Sequence, residues 1–240
     1  MKLDILVFAA HPDDAELTCS GTILHHIHLG YKVGIIDLTK GELGSRGTAQ
    51  TRAEESAVAT KIMGIHHREN LGLPDGFLQN IPEYQLKLVE KIRQFQPQII
   101  LANALQDRHT DHAKGAILAK EASFLSGLKK IETYQNNVLQ EAFRPQSVYH
   151  YIQDIHLKPD FVVDISAYWH KRVEAIKAFK TQFFTGETLE NEPVTPISTP
   201  QFMHFLEGRA REMGRMIGVE FGEGFNVNRP LGIGSLFQIH

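Results

Sequence analysis

DILVFAAHPDDAE, Asp4 to Glu16, begins as an apolar run and ends in one histidine and three carboxylates gathered around a proline. An apolar run this short, closed by a turn residue, reads as a buried strand over Asp4 to Ala10. A helix is expected from about Glu16 to Leu29, with Gly30 as its stop signal. KVGIIDLT, Lys32 to Thr39, is a second strand, and Arg52 to Met63 a helix ended by Gly64. His67 to Leu71 reads as a short strand before the turn LPDG, Pro82 to Phe95 as a helix, and Gln98 to Ala104 as another buried strand. The next helix is expected from Asp111 to Phe124. Strands alternating with helices are the pattern of βαβ units, so the expected fold is α/β, a Rossmann-like three-layer sandwich around a mostly parallel sheet.

Farther along, SVYHYI and DFVVDIS look like strands, and Ala167 to Phe183 has helical spacing. Thr185 to Pro200 is rich in Pro, Thr and Glu and is expected to be a long loop or lid at 185–200. A last helix, about Gln201 to Ile217, precedes a Gly-rich end containing EFGEGF. With 240 residues the chain is expected to form one domain over 1–240.

Hydrophobic residues make up 42% and charged residues 22%, the balance of a globular protein. A net charge of -3 with dispersed lysines and arginines argues against a nucleic-acid partner. No apolar stretch reaches the roughly 18 residues of a membrane span, and the N-terminus lacks the layout of a signal peptide. Cys19 is the only cysteine, so a metal site would use histidine and carboxylate ligands, and the expected compartment is the reducing cytoplasm.

Ligands of open α/β sheets bind beyond the carboxyl ends of the strands. The two loops expected there are the histidine-rich ones. The first offers His11, Asp13, Asp14 and Glu16; the second, QDRHTDH, offers Asp107, His109, Asp111 and His112. Catalytic zinc typically takes three protein ligands and a water, a count that His11, Asp14 and His112 fit. Pro12 stiffens the turn between them. Asp13 cannot easily face the same way as Asp14 and is left beside the metal-bound water, where a general base belongs. His109, three residues before His112, can stabilise an oxyanion, with Asp111 or Asp107 holding its tautomer.

Each loop alone has a plainer reading, as acids that cap a helix and complement its dipole. Both together, each with histidine beside aspartate on one sheet edge, favour the metal. HHIH, His25 to His28, lacks a carboxylate partner and reads as a partly solvated helix face. His150, His156, His170 and His204 read as surface or packing residues. A non-catalytic module binding a nucleotide or sugar is the competing class. AHPDDAE argues against a dinucleotide, because it has no G-x-G-x-x-G and sets carboxylates where a pyrophosphate needs bare amides.

AHPDD after the first strand, with HxxH at His109 to His112, resembles the LmbE-like, or PIG-L, family of zinc-dependent N-acetylglucosaminyl deacetylases. The resemblance continues through TKGELGSRGT, TRAEE, NLGLPDG and GEGF. It is strongest toward the bacillithiol-biosynthesis branch, whose members remove acetate from N-acetylglucosaminyl malate. The resemblance implies zinc ligands at His11, Asp14 and His112, a general base at Asp13 and an oxyanion-stabilising histidine at His109. It implies one catalytic ion per chain, zinc with iron(II) as the alternative, and a homo-oligomer, a hexamer. Arg52 falls where the branch holds the malate carboxylate, a task suited to a guanidinium fork. Without the resemblance, Arg52 reads as a surface partner of Glu55. Glu42, Ser45 and Arg46 are expected contacts to sugar hydroxyls or the malyl group. The implied substrate is a small N-acetylglucosamine conjugate, with glycan fragments or inositol glycosides as alternatives to the malate.

Overall fold

Strand β1, Ile5–Ala9, is buried on both faces, and its side chains divide between two cores. Ile5, Val7 and Ala9 pack with Ile23, Met63 and Phe225, whereas Leu6, Phe8 and Ala10 pack with Leu88, Ile92 and Leu118. That period-2 split makes β1 the middle of a three-layer sandwich. The computed structural model describes residues 1–186 and 192–238.

In chain order the remaining strands are β2 (Val33–Thr39), β3 (His67–Leu73), β4 (Ile99–Ala102), β5 (Tyr134–Gln135), β6 (Val138–Leu139), β7 (Ser147–Tyr151), β8 (Phe161–Asp164) and β9 (Gly222–Val227). The helices are α1 (Asp14–Thr18), α2 (Ser20–His28), α3 (Ala49–Met63), α4 (Pro82–Phe95), α5 (Thr110–Leu125), α6 (Trp169–Lys177) and α7 (Pro200–Met216). Seven strands form one sheet in the order β3-β2-β1-β4-β7-β9-β8. β9 pairs antiparallel with β7 and β8, and the pairings among β3, β2, β1, β4 and β7 are parallel. The mostly parallel Rossmann-like sandwich is therefore present. The chain steps outward from β1 to β3 and then returns to place β4 on the other side of β1. This reversal opens a crevice between the loops that follow β1 and β4.

Two expectations need correction. The first helix is not continuous from Glu16 to Leu29. It begins at Asp14 and breaks at Cys19, whose backbone leaves the helical region (φ -137°, ψ 15°). The break is held by Glu223, whose carboxylate accepts from the N–H groups of Gly21 and Thr22 at 2.9 and 2.7 Å and so caps the new helix start. The segment Ala167 to Phe183 is a 3-10 turn over Ser166–Tyr168 followed by the shorter α6. The Gly-rich end, left without an element in the sequence, forms β9. A Cβ on Gly222 would lie 2.9 Å from the backbone nitrogen of Gly214, so the glycines let β9 and α7 approach at backbone distance.

Part of the loop expected at 185–200, residues 187–191, lies outside the described residues. Beyond it, Thr199 caps α7 by accepting from the Phe202 N–H. Among the described residues, no helix is long and apolar enough to cross a membrane.

Candidate active site

The crevice beyond β1 and β4 brings the two histidine-rich loops together, because α1 starts at Asp14 and α5 at Thr110, each directly after its loop. Asp14 lies between two imidazoles. His11 Nδ1 is 3.6 Å from Asp14 Oδ2, and His112 Nε2 is 3.2 Å from Asp14 Oδ1. The far nitrogen of each ring meets another carboxylate. His11 Nε2 is 3.0 Å from Asp75 Oδ1, and His112 Nδ1 is 2.5 Å from Asp107 Oδ2. A carboxylate behind each imidazole is the arrangement that fixes ring orientation in metal sites. The donor set thus fits a divalent ion bound by imidazole and carboxylate.

Ring nitrogens of His11, His109 and His112 lie within 4.8 Å of one another, as do ligand atoms of His11, Asp75 and Asp111; Asp14 belongs to neither set and meets His11 and His112 pairwise. The second of these sets is engaged elsewhere. Asp75 Oδ2 accepts from the Leu43 N–H, and Asp111 accepts from the N–H groups of Gly76 and Leu78, so both carboxylates tie down neighbouring loops.

Charges in this cluster shift one another. Burial opposes protonation of His112, but Asp14 and Asp107 overcome it and raise the group to about 9. Burial likewise disfavours charge on His11, yet hydrogen bonding with Asp111, Asp14 and Asp75 holds it well above the usual imidazole range.

Asp13 is buried, and its backbone stands at φ 125°, a conformation side-chain-bearing residues avoid. Arg52 Nη2 grips the turn, donating to Asp13 Oδ2 at 2.6 Å and to the Pro12 carbonyl at 2.7 Å. Burial pushes the Asp13 carboxyl up to about 7; Arg52 opposes that rise and Asp14 adds to it. Such a group exchanges a proton near neutrality, as a general base must.

His109 is the N-cap of α5, and its Nδ1 accepts from the backbone N–H of Asp111 at 3.2 Å. This is a correction: the Asp111 and Asp107 carboxylates do not hold its tautomer; a backbone amide does. In the neutral ring the proton then sits on Nε2. Burial, followed by the charges of His11 and His112, lowers the His109 pKa and keeps the ring neutral.

Arg52 does not pair with Glu55, which instead accepts from the Thr181 N–H and hydroxyl. The cavity over the cluster measures about 330 Å³. Its lining includes Ser45, Arg46 and Arg52, an aromatic wall of Phe202 and Phe205, and Arg108 and Arg209. Arg46 is itself held by the carbonyls of Thr181 and Pro193. Glu42 is exposed, stands outside that lining, and accepts from the Asp75 N–H at 3.0 Å. HHIH stays apart from the cluster: the His25 ring stacks on Tyr168 with centroids 5.2 Å apart. Asp75, Asn103 and Gln153 also belong to the cluster, although no sequence signal singled them out. Asp75 looked like an ordinary turn residue in LPDG, and neutral amides advertise no chemistry.

The family model for GlcNAc-PI de-N-acetylase (PIG-L) matches residues 6–123, which hold both loops. The chain belongs to the PIG-L family. Among solved structures, this PIG-L chain is similar to the conserved protein TT1542 from Thermus thermophilus, with 35% identity, 98% of each chain covered and a TM-score of 0.85. It is 26% identical to diacetylchitobiose deacetylase of Thermococcus kodakarensis, over 92% of this chain and 81% of that protein. It is also 26% identical to 4-oxalmesaconate hydratase of Pseudomonas putida, over 74% of this chain and 73% of that protein. PIG-L relatives thus include both a deacetylase and a hydratase.

Proposed function

We propose that the protein is a metal-dependent hydrolase that removes the acetyl group from an N-acetylglucosamine conjugate, and that the conjugate is N-acetylglucosaminyl L-malate of bacillithiol biosynthesis. The observation that carries this reading is Asp13: a buried carboxyl poised near neutrality, fixed by Arg52, beside a His–Asp cluster in a PIG-L chain. We assign His11, Asp14 and His112 as the ligands of one ion, zinc or iron(II). When bound, such an ion supplies Lewis acidity, polarising the acyl oxygen and lowering the pKa of a water toward about 7.

The remaining chemistry belongs to the chain. Asp13 accepts a proton as the water oxygen bonds to the acetyl carbon. The oxygen of the resulting tetrahedral centre gains charge, and the Nε2–H of neutral His109 donates to it. Asp13 returns its proton to the amine nitrogen as the C–N bond breaks, and acetate and the free amine leave. Arg52, Arg46 and Ser45 line the cavity that would take the sugar and its carboxylate-bearing aglycone. Glu42 acts on the loop through Asp75.

The test is acetate release from a panel of N-acetylglucosamine conjugates differing only in aglycone, by wild type and by Asp13→Asn with metal content quantified. The malyl conjugate is expected to be preferred, and Asp13→Asn to lose about 100-fold or more in turnover while retaining metal. Full turnover by that variant removes Asp13 from the base role. Absence of acetate from every conjugate removes the amide-hydrolysis reading and leaves hydration, the reaction of the Pseudomonas relative.

A further inference from the structure

Asp14 has four lone-pair directions, and the fold fills them unequally. Oδ2 accepts from the His11 N–H at 3.0 Å and from Asn103 Nδ2 at 2.9 Å. Oδ1 accepts from the Gln153 amide Nε2 at 3.1 Å, and its other side faces His112 Nε2 at 3.2 Å, the ring with which it would share the ion. Asn103 Nδ2 also donates to Gln153 Oε1 at 3.0 Å, which closes a ring of Asp14, Asn103 and Gln153. All three are buried, Asn103 fully.

The ring has one polarity. Asn103 Oδ1 accepts from the Ala10 N–H and Gln153 Oε1 from the Ala104 N–H, so turning over either amide would set donor against donor and acceptor against carboxylate. Its members come from the ends of three neighbouring strands, since Asp14 follows β1, Asn103 follows β4 and Gln153 follows β7.

We infer that Asn103 and Gln153 are positioning residues for the metal: their amide ring occupies Asp14 Oδ2 and orients Oδ1 as the single oxygen offered to the ion. The inference rests on the metal reading above. Because both amides are neutral, they orient the carboxylate without cancelling the charge that attracts a cation. Mutation of such outer partners typically costs 10- to 100-fold in metal affinity.

The test is the dissociation constant for Co²⁺ and Zn²⁺, by chelator competition, in wild type, Gln153→Met and Tyr151→Phe. Gln153→Met keeps the side-chain length and removes the donor. Tyr151→Phe is a packing control, because it removes another buried hydrogen bond, to the Phe8 carbonyl, that does not involve Asp14. The expected result is a 10- to 100-fold weaker dissociation constant and an altered Co²⁺ absorption spectrum for Gln153→Met, with Tyr151→Phe like wild type. If Gln153→Met does not fold, Gln153→Asn, whose amide is withdrawn by one carbon, carries the same expectation. Unchanged affinity in the Gln153 variants overturns the positioning role while leaving the metal reading intact, and equal weakening in Tyr151→Phe overturns it as general loosening. Failure of wild type to bind either ion overturns the metal reading and this inference with it.

Discussion

Asp13 is held where a glycine would sit more comfortably. At φ 125° its backbone stores strain of about 1–3 kcal/mol, which the surrounding turn must sustain. The grip of Arg52 on both Asp13 and the Pro12 carbonyl supplies that restraint. A comparison of Asp13→Gly with Asp13→Ala isolates the backbone component, since both lose the carboxylate. Glycine is expected to be the more stable variant by about 1–2 kcal/mol in denaturant unfolding, with both inactive; equal stability would show that the turn is unstrained. Residue type and order were enough to single out His11, Asp13, Asp14, His109 and His112, because two loops with histidine beside aspartate met at one sheet edge. The partner of each ring was less legible. His109 is oriented by a backbone amide, which any residue at 111 except proline would provide, so no side-chain pattern could announce it.

At the scale of elements, β1, β2 and α4 were readable from apolar runs and helix punctuation, and α4 falls where its periodicity and Pro82 placed it. The asparagine pair at 136–137 is a hairpin signal in retrospect: both residues take positive φ between β5 and β6, as a two-residue turn of the mirror-image type demands. The joint between α1, β2 and β3 depends on charge. Arg68 in β3 donates to Asp37 in β2 and to Glu16 in α1, with all three side chains buried. Glu16, one of the acids of the first histidine-rich loop, is thus a structural partner. Replacing Arg68 by Met leaves two buried carboxylates with no counter-charge, and removal of one member of a buried pair typically costs about 3–5 kcal/mol. Denaturant unfolding of Arg68→Met is expected to show a loss of that size, and a loss below about 1 kcal/mol would mean the acids find other partners.

For the whole molecule, an ion bound only by the folded chain adds stability by mass action, about 2.7 kcal/mol at a hundredfold excess over its dissociation constant. For a chain of this length that corresponds to roughly 5–10 °C in Tm. Calorimetric scans with and without Zn²⁺ are expected to differ by that amount near neutral pH. The sign of the pH dependence follows from the imidazoles. His112 titrates at about 9 and His11 well above its ordinary range, so at neutral pH the ion must displace their protons. The metal-induced rise in Tm should therefore shrink as pH falls; a rise that grows on acidification would contradict ligation by these rings. The break at Cys19, which starts α2 where no local signal predicts it, is set by Glu223, 202 residues from Gly21. Synthesis at about 5–20 residues per second places roughly 10–40 s between emergence of the helix start and arrival of its cap. The start of α2 is thus among the earliest parts of the polypeptide to be made and among the last to be capped. A nascent chain stalled before its final strand would carry the α1–α2 segment without the carboxylate that caps α2.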